Sequence, residues 1–350
     1  MTSIRDANQL KMAGLIEPEE LETIEQVIKK FSVSLSPQLI ETFNSSNDIN
    51  RAGLLKQFLP TEAELEITET ELKDPIGDTR YTTVKGVVHR HADRCLLMPI
   101  TACPVYCRFC FRRESVGQKS PALTKDELQT AYNYIAEHKE IWEVIITGGE
   151  PLILKPKTLR EILSHLALIE HVEVIRIHTR VPVLEPKRIT NELIKALKIN
   201  KAIYVAVSVN HPGEFTPEAI KACASLADNG ISMLGQTVLL KGVNDDPKVM
   251  GQLMRTLVKN RIKPYYLHQA DLAEGTSHFR TSIEDGQQLM KTLREQHSGL
   301  CQPTYVLDIP GGFGKVPVGA NYIESKDILA CEKGSYQIRD QKGKLHNYKN

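Results

Sequence analysis

Short apolar runs alternate with amphipathic segments from about residue 95 onwards, and this alternation is the clearest structural signal in the chain. The apolar runs have the length of strands and occupy residues 94–100, 142–146, 172–177, 202–209, 233–240, 263–267 and 304–307. Segments with helical spacing lie between them, near residues 124–138, 157–168, 190–198, 216–228, 247–259 and 283–297. Strands that are apolar on both faces and alternate with helices form parallel sheets covered by helices. The pattern therefore predicts an α/β fold with a partial (β/α)6-type barrel.

The first 75 residues follow a different pattern, in which helices alternate with polar linkers. Residues 18–31 carry apolar side chains at helical spacing and acidic side chains in the first turn, where the helix dipole favours them. Two further helices are predicted to begin at Ser36 and near Asn50. We therefore expect a helical N-terminal region over residues 1–75, a barrel core over residues 76–300 and a C-terminal segment over residues 301–350.

The composition and net charge of the chain argue against nucleic-acid-binding and membrane proteins. The 350 residues are 41% hydrophobic and 25% charged, as in an ordinary globular protein. A net charge of +1 creates no global field that would attract nucleic acid or an anionic membrane. The first residues lack a signal-peptide pattern, and the apolar stretches are too short to span a bilayer. We therefore expect a cytoplasmic protein without nucleic-acid or membrane partners.

Three of the seven cysteines form a C-x₃-C-x₂-C cluster, Cys103, Cys107 and Cys110, directly after the first predicted strand. An odd number of cysteines with three clustered indicates metal chemistry in a reducing compartment rather than disulfides. Three thiolates can ligate three irons of a [4Fe–4S] cluster, which usually has four such ligands, and leave the fourth iron open to a small molecule. The alternatives are buried apolar cysteines or half of a zinc site, but zinc would require a fourth Cys or His at comparable spacing.

Residues capable of chemistry also follow the other predicted strands. Active sites of barrels and open α/β sheets form at the carboxyl ends of the strands. Gly148, Gly149 and Glu150 follow the second strand, where paired glycines allow a ligand to approach closely and the carboxylate can accept a hydrogen bond. The remaining polar residues within or after strands are His178, Arg180, Ser208, Asn210, His211, Gln236, His268, Gln269 and Asp271.

A glycine-rich turn that ends in Lys315 follows the last predicted strand. Such a turn can bind phosphate, but a Walker A motif places Ser or Thr after the lysine and opens a helix, whereas Val-Pro-Val-Gly follows here. An exposed turn lysine is a second alternative. We favour a lysine on a pliant loop that reaches the barrel mouth and can form a Schiff base with a carbonyl, as in pyridoxal phosphate (PLP) enzymes.

Taken together, these motifs resemble the lysine 2,3-aminomutase family of the radical S-adenosylmethionine (SAM) enzymes. The resemblance extends from about His89 to Tyr322 and keeps the family's motif order. The motifs are His-Arg-x-x-Asp-Arg at 89–94, the cysteine triad with Arg112, Gly-Gly-Glu at 148–150, Asn-His-Pro at 210–212, Gln236, the stretch 271–281 and Asp-x-Pro-Gly-Gly-x-Gly-Lys-x-Pro at 308–317. The resemblance implies a radical SAM barrel whose C-terminal segment carries a PLP lysine.

The resemblance also implies three cofactors, namely a [4Fe–4S] cluster, SAM and PLP. In the implied reaction, a radical made from SAM takes a hydrogen from the β-carbon of the PLP-bound substrate, and the amine migrates. The implied site residues are Cys103, Cys107 and Cys110 for the cluster; Gly148, Gly149, Glu150 and Gln236 for SAM; Lys315, the catalytic lysine, for PLP; Arg90 and Arg94 for the PLP phosphate; and Arg112, Asp271 and Asp308 for the substrate.

The charges of the implied substrate residues indicate a basic amino acid. Arg112 would pair with the α-carboxylate, while Asp271 and Asp308 would bind the side-chain ammonium of lysine. Two carboxylates in one pocket raise each other's pKa unless a cation joins them, and they would repel glutamate. We therefore expect an isomerase that converts L-lysine, its small-molecule substrate, to β-lysine and that receives electrons from a donor such as flavodoxin or ferredoxin.

Three alternatives remain open at this stage. The enzyme could form β-lysine for the modification of elongation factor P, although the intact loop at 308–317 argues against that branch. It could act on another basic amino acid, such as arginine. A catalytically inert iron–sulfur or PLP-binding regulator is the third alternative, and the intact cysteine triad and Lys315 argue against it.

Several positions depart from the pattern of the family. Cys331 is the only cysteine after Lys315, and Asp246 stands where a partner cysteine is expected. Any homo-oligomer would therefore lack the zinc-linked tail of clostridial members. His91 and Ser208 stand where Tyr and His are expected, and either change can alter rate or substrate.

Overall fold

A computed structural model describes residues 2–46, 48–114, 122–324, 335–340 and 343–349. Cys331 lies outside these residues. Among the helices of the described ranges, none has the length and apolar character that crossing a membrane requires.

A sheet of ten strands organises the described residues, and each strand lies beside the one that precedes it in the chain. Strands β3 to β9 are parallel, while β1, β2 and β10 extend the two edges in antiparallel fashion. The strands are β1 (Thr82–Val84), β2 (Val87–His91), β3 (Arg94–Ile100), β4 (Glu143–Gly148), β5 (Val174–Thr179), β6 (Ala202–Ser208), β7 (Ser232–Leu239), β8 (Ile262–Gln269), β9 (Thr304–Asp308) and β10 (Lys315–Pro317).

Helices connect the parallel strands, and a further group precedes the sheet. The N-terminal group comprises α1 (Ala7–Met12), α2 (Leu21–Lys30), α3 (Pro37–Ser45) and α4 (Asp48–Lys56). The helices between strands are α5 (Lys125–Glu137), α6 (Pro156–Ala167), α7 (Val181–Leu184), α8 (Asn191–Leu197), α9 (Pro217–Asp228), α10 (Pro247–Lys259) and α11 (Ile283–Gln296). The α/β fold with an open, partial barrel is thus confirmed, and the seven predicted strands end within two residues of β3 to β9.

Polar N-caps begin α5, α8, α9, α10 and α11. Thr124, Thr190, Thr216 and Ser282 each accept a hydrogen bond from a backbone N–H in the first turn of the helix that follows. Asp246 does the same for α10, accepting from the N–H groups of the second and third helical residues. Such caps satisfy backbone donors that have no partner within the helix. Asp246, which stands where the family pattern has a cysteine, therefore has a structural function here as the N-cap of α10.

The strands that the hydrophobic pattern missed are short, polar or exposed. They are β1, β2 and β10 at the sheet edges, and a separate antiparallel sheet of β11 (Ile323–Glu324), β12 (Ser335–Arg339) and β13 (Leu345–Lys349). None of these strands has a long apolar run, and β2 fully buries only Val87 and Val88, so their own residues carry little signal. Lys315, expected on a loop, is the first residue of β10 and pairs in register with Asp308 of β9.

The N-terminal region packs on the loop that carries the three cysteines. Its apolar side chains, among them Leu39, Phe43 and Phe58, belong to the same buried cluster as the strands of the sheet. The backbone N–H of Tyr106 donates to the carbonyl of Ser34 at 3.0 Å. The predicted domain boundaries at residues 75 and 300 stay predictions. The contacts show that the helical region packs against the cysteine loop and hydrogen-bonds to it.

A buried carboxylate, Glu64, forms the strongest link between the N-terminal region and the cysteine loop. Arg108, which lies between Cys107 and Cys110, donates to Glu64 at 3.0 and 2.6 Å and to the carbonyl of Ser32 at 2.8 Å. Arg113 forms a second ion pair with Glu64. Burial alone would raise the pKa of Glu64, but the two guanidinium groups hold it below its usual value.

Replacing Glu64 with Gln should destabilise the protein. The substitution leaves two buried guanidinium groups without their counter-charge, and breaking a buried ion pair typically costs about 3–5 kcal/mol. Urea unfolding followed by circular dichroism measures this change. Glu62→Gln, at an exposed position two residues away, is the matched control and should change the free energy of unfolding little. Equal unfolding midpoints for the two variants would show that Glu64 does not anchor the loop.

Candidate active site

A cavity of about 620 Å³ runs along the sheet from Arg94 at the start of β3 to the loops that follow the parallel strands. Every residue that the sequence singled out for a cofactor or the substrate lines it. These residues are Arg90, Arg94, Cys103, Cys107, Cys110, Arg112, Gly148, Gly149, Glu150, Gln236, Asp271, Asp308 and Lys315. The topology explains why the residues that follow the parallel strands converge, because the carboxyl ends of neighbouring parallel strands meet at one edge of the sheet. Arg90, on β2, and Arg94, at the start of β3, reach the cavity from other parts of the sheet.

The three cysteines of the loop after β3 are free thiols that face this cavity. Burial raises the pKa of Cys110 to about 11, and it raises the pKa of Cys103 well above its usual value. Neighbouring thiolates of the triad raise both values further through repulsion. A cation that joins the three sulfurs, as iron does in a cluster, favours the ionised form of all three. The donor set therefore fits a [4Fe–4S] cluster with one iron that has no protein ligand.

The Gly148-Gly149-Glu150 turn packs directly against the chain that leads to Cys103. The N–H of Gly149 donates to the carbonyl of Ile100 at 2.7 Å, and the N–H of Glu150 donates to that of Ala102 at 2.9 Å. A β-carbon at position 149 would lie 2.5 Å from the carbonyl carbon of Thr101 and would also overlap the oxygen of Ala102. Glycine is therefore required by the close approach of two backbones.

The side chain of Glu150 is buried and has several donors within the protein. It accepts from the Thr179 hydroxyl at 2.6 Å, from the Arg180 N–H at 2.7 Å and from the Leu152 N–H at 3.0 Å. Burial raises its pKa despite these donors. Gln236, the other side chain expected to contact SAM, is buried in β7 with its Nε2 3.5 Å from the Nε2 of His178. Their contacts with SAM stay predictions.

Asp78, which sequence reasoning missed, joins two of the predicted ligand-binding arginines. Arg90 donates to one carboxylate oxygen of Asp78 at 2.9 Å, and Arg112 donates to the other at 2.7 Å. Arg94, the second residue expected at the PLP phosphate, pairs instead with the adjacent Asp93 at 2.7 Å. Asp78 lies in a loop without any motif of its own. The one available signal in the sequence was that two neighbouring cations, Arg90 and Arg112, need a negative charge nearby.

Lys315 and the two predicted substrate aspartates lie together near His268. The Lys315 amine forms an ion pair with Asp308 and lies 3.2 Å from the Nδ1 of His268. Burial alone would raise the pKa of Asp308, but His268 and Lys315 lower it to about 2. Burial, followed by repulsion from Asp308, raises the pKa of Asp271 to about 7. The pKa values of the two carboxylates therefore differ widely. A further cation in the cavity would favour the ionised form of both.

The residues around Lys315 also fit PLP. Its amine lies 5.6 Å from the ring centroid of Tyr266, in a cavity large enough for a small cofactor. The buried Nε of Arg90 has no hydrogen-bond partner among the described residues. A buried donor of this kind is costly unless a ligand accepts from it, and a phosphate oxygen is a suitable acceptor.

Comparisons with known proteins agree with this chemistry. Residues 97–253 match the family model described as the radical SAM superfamily. The chain is 40% identical to the L-lysine 2,3-aminomutase of Methanococcus maripaludis, over 92% of this chain and 75% of that protein. It is 38% identical to the L-lysine 2,3-aminomutase of Clostridium subterminale, over 92% of this chain and 77% of the relative. A glutamate 2,3-aminomutase of Clostridioides difficile is also 38% identical, over 92% of this chain and 76% of that protein.

Gly149→Ala should disturb the cysteine loop, because the added methyl group displaces the backbone of Thr101 and Ala102, which leads into Cys103. We expect less iron and sulfide per chain than in the unsubstituted protein after anaerobic reconstitution. Gly299→Ala is the matched control, since a β-carbon there meets no atom within 4 Å. A normal iron content in Gly149→Ala would contradict the requirement for close backbone approach.

Proposed function

Because the chain belongs to the lysine 2,3-aminomutase family of radical SAM enzymes, we propose that it moves the 2-amino group of L-lysine to carbon 3 and so forms β-lysine. The protein is an isomerase of the aminomutase type, and the cofactors of its family are a [4Fe–4S] cluster, SAM and PLP. The choice of L-lysine as substrate and the role of each residue are the proposal.

Each cofactor has candidate residues in the cavity. Cys103, Cys107 and Cys110 would hold the cluster, and Gly148, Gly149, Glu150 and Gln236 would contact SAM. Lys315 would hold PLP, with Arg90 and Arg94 at its phosphate. When bound, the cluster and SAM provide radical chemistry, and PLP provides a carbonyl for the migrating amine.

Sequence similarity alone does not distinguish lysine from glutamate, because aminomutases named for either substrate are 38% identical to this chain. The charges in the cavity support the choice of a basic amino acid. Asp271 and Asp308 lie close enough to influence each other, and Arg112 and Lys315 both act on the charge of Asp271. Two aspartates attract the side-chain ammonium of a basic amino acid and repel the carboxylate of glutamate. This pair of carboxylates is the observation that carries the proposal.

Binding would exchange ion pairs that already exist within the protein. Arg112 would turn from Asp78 to the α-carboxylate of the substrate, and Asp308 would turn from Lys315 to the substrate ammonium. His268, whose pKa is lowered by burial, lies beside this pair, with its Nδ1 3.6 Å from Asp308 and 3.2 Å from the Lys315 amine. The substrate would therefore meet oriented groups of the right sign, which reduces the cost of ordering them.

A panel of amino acids tests the substrate directly. The protein, reconstituted without oxygen and supplied with PLP, SAM and dithionite, should convert L-lysine to β-lysine. Arginine and ornithine should react more slowly, and glutamate should not react. Products are measured by chromatography with mass detection, together with 5′-deoxyadenosine. Failure to form any β-amino acid or 5′-deoxyadenosine from the whole panel would overturn the proposal, and preferential turnover of glutamate would overturn its substrate.

The raised pKa of Asp271 predicts a pH dependence for lysine. Its pKa of about 7 means that the carboxylate is largely neutral below pH 7 and largely ionised above it. The substrate ammonium pairs only with the ionised form, so kcat/KM should rise with pH through about 7 and then level off.

Asp271→Asn should remove this rise and increase KM about tenfold or more, because a hydrogen bond to a charged group contributes about 1.5–3 kcal/mol. Asp126→Asn, at an exposed position in the first turn of α5, is the control and should leave the profile unchanged. If the rise near pH 7 persists in Asp271→Asn, another group is responsible for it.

A further inference from the structure

Arg180, the first residue after β5, contacts one thiol of the cysteine triad. Its Nη1 donates to the Sγ of Cys107 at 2.8 Å. Its Nη2 donates to Glu214 at 2.5 Å and to the Oε1 of Gln57 at 3.2 Å. A cation with the planar fork of arginine is thus held between a thiol and a buried carboxylate.

The surroundings of Arg180 fix its guanidinium group in place. Glu214 is fully buried and also accepts from the backbone N–H groups of Asn210 and His211, at 2.8 and 2.9 Å. The aromatic rings of Phe58 and Phe109 flank the guanidinium group, with centroids at 5.1 and 5.5 Å. The charge therefore has little freedom to move away from the triad.

The electrostatics of this contact favour a permanent positive charge beside Cys107. Burial alone would lower the pKa of Arg180, but Cys107 and Glu214 raise it above its usual value. Burial raises the pKa of the Cys107 thiol, and Arg180 opposes this shift. Hydrogen bonds to the sulfurs of an iron–sulfur cluster, together with nearby charge, are established determinants of its reduction potential.

We propose that Arg180 sets the reduction potential of the cluster, because its hydrogen bond to the Cys107 thiolate makes the cluster easier to reduce. Reduction adds one electron from a low-potential donor and hence one negative charge, which a fixed cation stabilises. No bond forms or breaks in this step. Arg180 is a positioning residue that acts through Cys107. The inference rests on the cluster site of the proposed function and does not depend on which amino acid is the substrate.

A redox titration of Arg180→Gln tests the inference. The variant and the unsubstituted protein are reconstituted without oxygen and titrated with dithionite, in the absence of SAM and amino acid, and the reduced cluster is followed by electron paramagnetic resonance. We expect a more negative midpoint potential in the variant. The equilibrium constant for reduction should fall about tenfold or more, and a tenfold change equals 59 mV for one electron.

Arg176→Gln is the matched control. Arg176 lies on β5, the strand that Arg180 follows, lines the same cavity and pairs with Glu143 at 3.0 Å, but it makes no hydrogen bond to a cysteine of the described chain. Its loss should leave the midpoint potential within experimental error. A shift of similar size in both variants would attribute the effect to cavity charge in general and overturn the role of the Cys107 contact.

Arg180→Lys keeps the charge but cannot donate to Cys107, Glu214 and Gln57 in the same planar geometry. The midpoint potential of Arg180→Lys should lie between those of the unsubstituted protein and Arg180→Gln. If Arg180→Gln fails to retain its cluster, the comparison of Arg180→Lys with the unsubstituted protein provides the test. Unchanged potentials in the variants that retain the cluster would overturn the inference. Weaker SAM binding with an unchanged midpoint potential would also overturn the inference, and it would identify Arg180 as a ligand-binding residue. Because no substrate is present, a failed aminomutase assay does not affect this result.

Discussion

Buried pairing between carboxylates and guanidinium groups holds the cysteine loop, and the chemistry of the site depends on this loop. Glu64 binds Arg108 and Arg113 within or just after the triad, while Glu214 binds Arg180 beside Cys107. Each carboxylate is fully buried, so removing one partner would leave an uncompensated charge away from water. The helical region before the sheet thus does more than cover apolar surface, since its Glu64 fixes the loop between the second and third cysteines.

The opposite charges of the cavity form a second set of internal pairs. Asp78 lies between Arg90 and Arg112, and Asp308 pairs with Lys315. These are the side chains that would meet the charged ends of a cofactor and a basic amino acid. A protein that keeps such groups paired before a ligand arrives avoids leaving several charges buried and uncompensated. Under the proposed function, ligand binding would exchange one partner for another, and selectivity would follow from the sign of each exchanged charge.

How much of the fold was predictable varies with the kind of signal. Strands β3 to β9 and the long helices between them are buried on a regular period, so their positions follow from apolar spacing. The edge strands β1, β2 and β10 escaped prediction because they are short and have no long apolar run, and backbone pairing with a neighbour completes them. Asp78 and Glu64 escaped for a similar reason, since a lone acidic residue in a linker gives no sign of the arginines it will meet.

The residues that can carry the chemistry, and their order along the chain, can be read from the sequence alone. The triad at 103–110, the Gly-Gly-Glu turn at 148–150 and Lys315 after a glycine-rich turn could be recognised because each motif is local and its spacing is dictated by its chemistry. Which charged groups come into contact follows from the folded chain and not from any motif. Arg180 reaches Cys107, and the Lys315 amine contacts both Asp308 and His268, through contacts between residues far apart in the chain or on neighbouring strands. Such pairings depend on the distance and burial that folding creates, and neither quantity is encoded in a local pattern.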